Sequence, residues 1–531
     1  MPTLPVLTPV QAAEWDRRAE RCGIPARALM ECAGRAAAGV LAARYADRLR
    51  QGVLVACGPG NNGGDGWVVA RALHAAGAPV WVAPSGDGAG ELARAMAGLA
   101  REAGVRIVQP DGPWPAVGLA VDALLGTGAT GAPRGEVAAL LGRVADLERP
   151  VIAVDGPSGL DLASGVQHGP LRAALSITFG GYRRGHLLAR DETGDLVVVD
   201  LGFPEPDPGW PVFQTEAAAA GELAPFPASA HKGDRGRVVV VGGDNGMLGA
   251  ARLTVRSVFA AGAGLVHLVA PTASVTVIAT AEPDLQTCVQ PFEAHPNART
   301  TALLARADAV VIGPGLGRSP SRADFVLGVI ESARSFTPIV LDADGLMAFA
   351  GQTERLREAL REGEEGEKSG RTRVILTPHA GEFRALFPEE ASRLVVDPWG
   401  AAEVAAARVG ATVLLKGVPT VVALREGDEP TLTVAAGNPG LATGGSGDML
   451  SGLIATLLAQ GLRPARAGGV AAQALGEAAD LAARRVTARA MRPMDVLAAL
   501  SDVWRRWDLL RREPPPPRPP ILHELPAPQR I

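Results

Sequence analysis

Two glycine-rich stretches carry the residues best suited to chemistry. Asn438-Pro-Gly-Leu-Ala-Thr-Gly-Gly-Ser-Gly-Asp-Met-Leu450 runs straight into an apolar helix pattern over 449–459. Gly444, Gly445 and Gly447 let the chain aim its N–H groups at one point, and the positive end of the new helix adds to their field, so a phosphate is a suitable occupant. Asp448 stands apart, because a carboxylate repels a resting anion unless it has a separate task such as taking a proton from an attacking hydroxyl. Together these features point to phosphoryl transfer. The same residues also suit a plain glycine turn with an acid at the helix start.

The second stretch, Gly58-Pro-Gly-Asn-Asn-Gly-Gly-Asp-Gly66, follows the apolar run Val53-Leu-Val-Ala-Cys57 and precedes a helix expected from about Trp67. It matches G-x-G-x-x-G at Gly58, Gly60 and Gly63. A dinucleotide fingerprint ranks low, because the next strand, Val80–Ala83, ends without an acid for a ribose and Asp65 would face the pyrophosphate. The amide oxygens of Asn61 and Asn62 suit a hard cation or the polar edge of a nucleotide. Two further apolar runs place Asp122, Asp155 and Ser158 at the C-terminal ends of buried strands, where open α/β sheets bind ligands, so these residues can converge with the 58–66 turn.

Later clusters repeat the arrangement. Gly313-Pro-Gly-Leu-Gly317, Asp342-Ala-Asp-Gly345, Thr377-Pro-His-Ala-Gly-Glu382 and Lys416-Gly-Val-Pro-Thr420 each follow a short apolar run. Asp342 and Asp344 fit a magnesium-phosphate site weakly, His379 suits a substrate or the cap of a helix near Glu382, and Lys416 suits a nucleotide phosphate or ribose. Of 52 basic residues only Lys232, Lys368 and Lys416 are lysine, which gives a lysine in a glycine turn added weight. No G-x-x-x-x-G-K-[ST] occurs, which excludes a P-loop ATPase.

The elements that must position these residues are short apolar strands alternating with helical patterns, an α/β arrangement. Thr8-Pro9-Val10-Gln11 reads as a capped helix start. Fresh strands are expected at Val238–Val241, Leu265–Val269, Ala309–Ile312, Ile339–Leu341, Val374–Leu376 and Thr412–Leu415, after a linker rich in proline, alanine and glutamate between Gly202 and Pro227. The 531 residues thus divide into two domains, 1–215 and 225–505, with 513–531 a disordered proline-rich tail. A net charge of −4 offers no field for nucleic acid or an anionic membrane, and no long apolar run or N-terminal leader is present, so a cytoplasmic protein is expected. Cys22, Cys32, Cys57 and Cys288 are too scattered for a zinc site or disulfide framework and are expected as buried thiols.

The motifs GPGNNGGDG, DALLGTG, DGPSGLD and Leu29-Met-Glu-Cys-Ala-Gly34 resemble the epimerase domain of the NAD(P)H-hydrate repair family, a Rossmann-like α/β/α sandwich, over most of 1–215. The resemblance implies that Asn61, Asn62, Gly63, Gly64 and Asp65, with the loop Gly126, Thr127, Gly128, Ala129, Thr130, Gly131 and Ala132, hold the hydrated nicotinamide nucleotide. It further implies a potassium ion on Asn62, Asp122 and Ser158, with Asp155 the acid beside the hydroxylated ring. Two positions depart from the family, which usually has isoleucine or valine at Gly156 and lysine at Arg183; arginine keeps the charge but does not readily release a proton.

HKGDRG, AAGAGLV, GPGLG, TPHAGE, KGVPT and NPGLATGGSGDML resemble, in order, the dehydratase domain of the same family, a ribokinase-like α/β fold, over 225–505. The resemblance places the hydrate against Ala250, Gly317, His379 and Asp448, and the adenine nucleotide, ADP in bacterial members, against Lys416, Gly417, Val418, Pro419, Thr420 and Gly447. Pro419 replaces a usual glycine and Ser446 a usual threonine. The implied activity is exchange of the R and S hydrate epimers and ADP-dependent dehydration of the S form, with magnesium offsetting phosphoryl charge. Small-molecule substrates and a homo-oligomer are expected. Two other assignments stay open on the residues alone: a kinase for a vitamin precursor alcohol with the N-terminal half as a regulatory module, and an N-terminal half that only binds and senses nucleotide or docks a protein.

Overall fold

The computed structural model describes residues 4–86, 90–293, 295–362, 373–424, 429–514 and 521–529. Lys368 and the polyproline run over 515–520 lie outside the described residues. The chain forms two compact units, one of Pro2–Trp210 with 516–528, the other dominated by Pro211–Pro515.

In the first unit, eight described strands make one sheet in the order Ile521–Leu525, Asp195–Val199, Leu175–Phe179, Val151–Val154, Leu119–Ala123, Val53–Cys57, Val80–Pro84, Arg106–Ile107. All neighbours are parallel except the first pair. Val53–Cys57 and Leu119–Ala123 are buried along their whole length, which is why the first reads as an unbroken apolar run and the second is apolar but for Asp122. Each such valine or leucine adds about 1.5–3 kcal/mol through burial. Glu91–Glu102 is helical because Ala93, Met96, Ala97 and Ala100 recur on one face and are buried there. From Val53–Cys57 the chain first builds toward Arg106–Ile107 and then returns to the other side with Leu119–Ala123, so a crevice opens between the ends of these two strands.

Three expectations are corrected in this unit. The helix begins at Asn61, so the asparagine-glycine segment forms its first turns rather than a loop. Its glycines serve close packing: a Cβ at Gly63 would lie 1.9 Å from the Gly58 carbonyl oxygen, and one at Gly66 2.6 Å from Ala123. The tail is not wholly disordered, since Ile521–Leu525 adds an antiparallel edge strand whose Ile521 packs against the core, a signal that the adjoining prolines obscure in the sequence. Cys57 and Cys288 are buried thiols, but Cys22 and Cys32 are exposed. Thr8 caps its helix as expected, accepting from the Gln11 N–H at 3.2 Å while the Gln11 side chain accepts from the Thr8 N–H at 2.8 Å.

The second unit holds a ten-stranded sheet among the described residues, ordered Val212–Phe213, Leu432–Val434, Thr420–Ala423, Thr412–Leu415, Val374–Leu376, Ile339–Leu341, Ala309–Ile312, Arg237–Val241, Leu265–Ala270, Gln286–Val289. Thr412–Leu415 onward is parallel throughout, whereas Thr420–Ala423 runs antiparallel to both its neighbours. The direction of winding reverses between Arg237–Val241 and Ala309–Ile312. Gly313, at φ 127°, admits the Asp342 carbonyl so closely that a Cβ would lie 1.8 Å from it.

Candidate active sites at the strand ends

In the first unit Asp122 ends Leu119–Ala123, in register with Ala56 on one side and Ala153 on the other. Its carboxylate accepts from the Ser158 N–H at 2.7 Å, the Ser158 hydroxyl at 2.6 Å and the Leu124 N–H at 3.2 Å. Burial raises its pKa and the Ser158 hydrogen bonds oppose that. Asn62 is buried on the first turn of the helix after Val53–Cys57, and neither its amide oxygen nor its amide nitrogen has a hydrogen-bond partner among the described residues. The glycine loop passes over it: a Cβ at Gly126 would lie 3.0 Å from the Asn62 Cβ and 3.2 Å from an Asp155 carboxylate oxygen.

Asp155 follows Val151–Val154 and has a left-handed backbone, φ 67°. The Thr127 N–H donates to its carboxylate at 2.7 Å, the Thr127 hydroxyl also bonds it, and the Thr178 hydroxyl donates at 3.3 Å. Arg183 sits 3.6 Å away and is fixed by donating to the Gly181 carbonyl at 2.8 Å and to Thr127 at 3.2 Å. Burial works against ionisation of Asp155, but the Arg183 charge and the Thr127 bonds outweigh it and hold the carboxyl below its usual range. Asp65 lies in the opposite condition, pushed well above the usual range by burial and then by the carboxylates of Asp155 and Asp16. A carboxyl held low and a carboxyl pushed high thus lie close together. The loop Gly126–Ala132 is largely exposed beside it, which suits a surface for a ligand.

In the second unit the glycine turn ends with Gly445 in a left-handed conformation, and the helix Ser446–Ala459 starts after it with Asp448 in the first turn. Lys416 donates to Asp342 at 2.8 Å and lies 3.7 Å from Glu382, while the Ser451 hydroxyl donates to the other Asp342 oxygen at 2.5 Å. A Cβ at Gly447 would meet the Lys416 ammonium at 3.1 Å, so the lysine lies beneath the turn. The Asp448 carboxylate has no hydrogen-bond or ion-pair partner among the described residues. Burial, then Asp342, raises its pKa to about 6, with Lys416 pulling the other way. That value suits a proton acceptor working near neutral pH.

Gly317 and His379 contact Asp344 and Glu382, whose charges act on Asp448. Gly317 donates its N–H to Asp344 at 3.0 Å, and a Cβ at Gly315 would lie 3.3 Å from that of Ala250. His379 caps the helix Ala380–Leu386, its Nδ1 accepting from the Gly381 and Glu382 N–H groups at 2.9 and 3.2 Å, and its side chain is 59% exposed with Nε2 3.5 Å from Glu382. The 416–420 turn contains a cis Val418–Pro419 bond and exposes Gly417 and Val418. Asp342 and Asp344 do not fit a protein-held magnesium site, because donors from Lys416, Ser451 and Gly317 already engage them. Sequence reasoning missed Ser451, Asp16 and His186. Only Ser451 had a local signal, lying one helical turn beyond Gly447 on the same face.

Residues 238–501 match the family described as NAD(P)H-hydrate dehydratase, and residues 26–185 match the family of the YjeF-related protein N-terminus. The bifunctional NAD(P)H-hydrate repair enzyme Nnr of Moorella thermoacetica is 34% identical over 530 residues, spanning 94% of this chain and 96% of that one. The chain belongs to the bifunctional NAD(P)H-hydrate repair enzymes. A second member, from Escherichia coli, is 36% identical over 508 residues and 92% of each chain. Among solved structures, an ADP/ATP-dependent NAD(P)H-hydrate dehydratase from Bacillus subtilis, co-crystallised with ATP and magnesium, is 25% identical, covers 56% of this chain and 98% of its own, and gives a TM-score of 0.46.

For a repair enzyme of this family, the orphaned Asn62 amide is the telling detail of the first unit. A buried amide left without partners is unfavourable by about 1–3 kcal/mol, and a hard cation taking a lone pair of its oxygen would relieve the part of that penalty due to the oxygen. Asp122 and Ser158 are already bonded to each other, so the Asn62 oxygen is the open donor atom for a cation here. No group of three or more histidine, cysteine or acidic residues among the described residues forms a metal cluster. No described helix is long and apolar enough to cross a membrane.

Proposed function

We propose that the chain repairs NADH and NADPH hydrated at the nicotinamide ring, with epimer exchange in the 1–215 half and ADP-dependent dehydration in the 225–505 half. The observation that carries the second activity is the unpaired Asp448 carboxylate, raised to about 6, in the first turn of the helix that follows the glycine turn. Asp448 takes the proton of the ring hydroxyl as that oxygen attacks the terminal phosphorus of ADP. AMP leaves, and the 444–447 amides and helix end stabilise the moving phosphoryl group. The ring nitrogen's lone pair then expels phosphate, and loss of the neighbouring ring proton restores the dihydronicotinamide. The hydrate lies against Ala250, Gly317 and His379, and ADP against Lys416–Thr420 and Gly447. Any magnesium comes with the nucleotide phosphates.

In the first half, Asn61–Asp65 and Gly126–Ala132 hold the hydrated nucleotide, and Asp155 stands beside the hydroxylated carbon. Asn62, Asp122 and Ser158 would hold potassium, which would supply positive charge toward the nucleotide. Arg183 adds charge there without donating its proton. Substrates drawn from the coenzyme pool place the work in the cytoplasm. The test is chromatography of separated epimers with the purified protein. Without ADP each epimer should yield the other; with ADP both should disappear as dihydronicotinamide, AMP and phosphate form in equal amounts. A stable phosphorylated organic product would instead mean a kinase, and an Asp155→Asn protein that still exchanges epimers would remove that residue from the chemistry.

A further inference from the structure

Asp155 adopts a left-handed backbone that a non-glycine residue keeps only when its surroundings hold it. His186, fully buried, grips it from behind. The imidazole Nε2 lies 2.6 Å from the Asp155 carbonyl oxygen, and the Arg183 backbone N–H donates to Nδ1 at 3.0 Å. A backbone N–H can only donate, so Nδ1 accepts and Nε2 carries the proton; one neutral tautomer satisfies both bonds. Burial depresses the basicity of the ring, with Asp155 opposing and Arg183 reinforcing, and the next facing charge is Arg190. The imidazole therefore joins the residue that bears the carboxylate to the residue that bears the guanidinium 3.6 Å from it.

The neighbouring position is shaped to match. A Cβ at Gly156 would lie 2.8 Å from the Leu162 Cδ2 and 3.1 Å from both the Leu162 Cδ1 and the His186 Nε2, so a side chain there crowds Leu162 first and the imidazole with it. The backbone of Gly156 is not left-handed, so close approach alone accounts for the glycine. Glycine at 156 thus leaves room for Leu162 and the His186 ring together beside Asp155.

We propose that His186 is a positioning residue for epimer exchange, its imidazole fixing the Asp155 backbone so that the carboxylate meets Thr127, Thr178 and Arg183, with Gly156 as its steric complement. The inference rests on the epimerase reading of the first unit. Because His186 touches only the far side of Asp155, it acts on the aim of the carboxylate and leaves binding of the hydrate unchanged.

The experiment compares the full-length wild type with His186→Leu, Gly156→Ala and the double variant, following conversion of one purified epimer into the other. Each single variant should lower kcat about tenfold or more, as expected when a reacting group is misplaced by a fraction of an ångström, with KM within about twofold. The double variant should be no worse than the poorer single, because both changes break one contact. Wild-type kcat in His186→Leu, a loss confined to KM, or losses that multiply in the double variant would overturn the proposal. Should His186→Leu fail to fold, Gly156→Ala decides, and wild-type kcat there overturns it equally. A wild type that exchanges no epimers would instead remove the epimerase reading itself.

Discussion

Asp448 is the residue whose surroundings most clearly set its chemistry. Its ordinary carboxyl range is lifted to about 6 by burial and by Asp342, while Lys416 moderates the rise. A base acts only as the anion, which is lost as pH falls through the folded value, so ADP-dependent kcat should be level above about pH 7 and fall about tenfold per unit below 6. Removing the moderating charge has a definite sign: Lys416→Met should move this acid limb to higher pH. A pH–rate series on both proteins checks the assignment, and a limb that stays in place or moves down would separate Lys416 from Asp448. The Lys416 ammonium itself keeps its proton more tightly than usual, because Asp342 and Glu382 outweigh the effect of burial.

At the scale of elements, glycines fix where helices meet strand ends. A Cβ at Gly58 would lie 1.7 Å from the Leu124 carbonyl oxygen, a backbone atom that cannot step aside, whereas one at Gly60 meets nothing within 4 Å. Gly58→Ala should therefore destabilise the first unit by about 3 kcal/mol or more, and Gly60→Ala by at most about 0.5 kcal/mol. Urea denaturation midpoints distinguish the two, and equal losses would contradict the close-approach account. These glycines also show what the sequence could carry. The strands were legible because Val53–Cys57 or Ala309–Ile312, buried on both faces, must be apolar throughout, and Asp122, Asp155 and Asp448 were legible because strand ends and helix starts are local features. The helix start at Asn61 was not, since glycine used for turning and glycine used for packing look alike until the neighbour is known. His186 and Asp16 depend on contacts with chain far away or on backbone geometry, which no spacing reveals.

Across the whole molecule, the C-terminal strand ties the end of the chain to the first unit. Ile521–Leu525 covers the edge of Asp195–Val199, the Tyr182 hydroxyl meets the His523 Nδ1 at 2.7 Å, Arg44 bonds Glu524 at 2.6 Å and Arg190 bonds the Pro526 carbonyl at 2.5 Å. Tyr182 is the immediate neighbour of Arg183, so this strand supports the segment that faces Asp155. Ending the chain at Arg512 should lower the melting temperature of the first unit, at about 1 kcal/mol for each buried hydrogen bond lost, and slow epimer exchange while ADP-dependent dehydration persists. Unchanged melting and exchange would show that the edge strand contributes nothing. The two chemistries share one polypeptide, and a single substitution should separate them. The most direct measurement follows a mixture of R and S hydrates with ADP and the Asp448→Asn protein, reading NADH absorbance and epimer ratio together. Recovery of NADH should fall at least about a hundredfold while the epimers continue to interconvert; recovery at the wild-type rate would contradict Asp448 as the base that readies the ring hydroxyl for phosphoryl transfer.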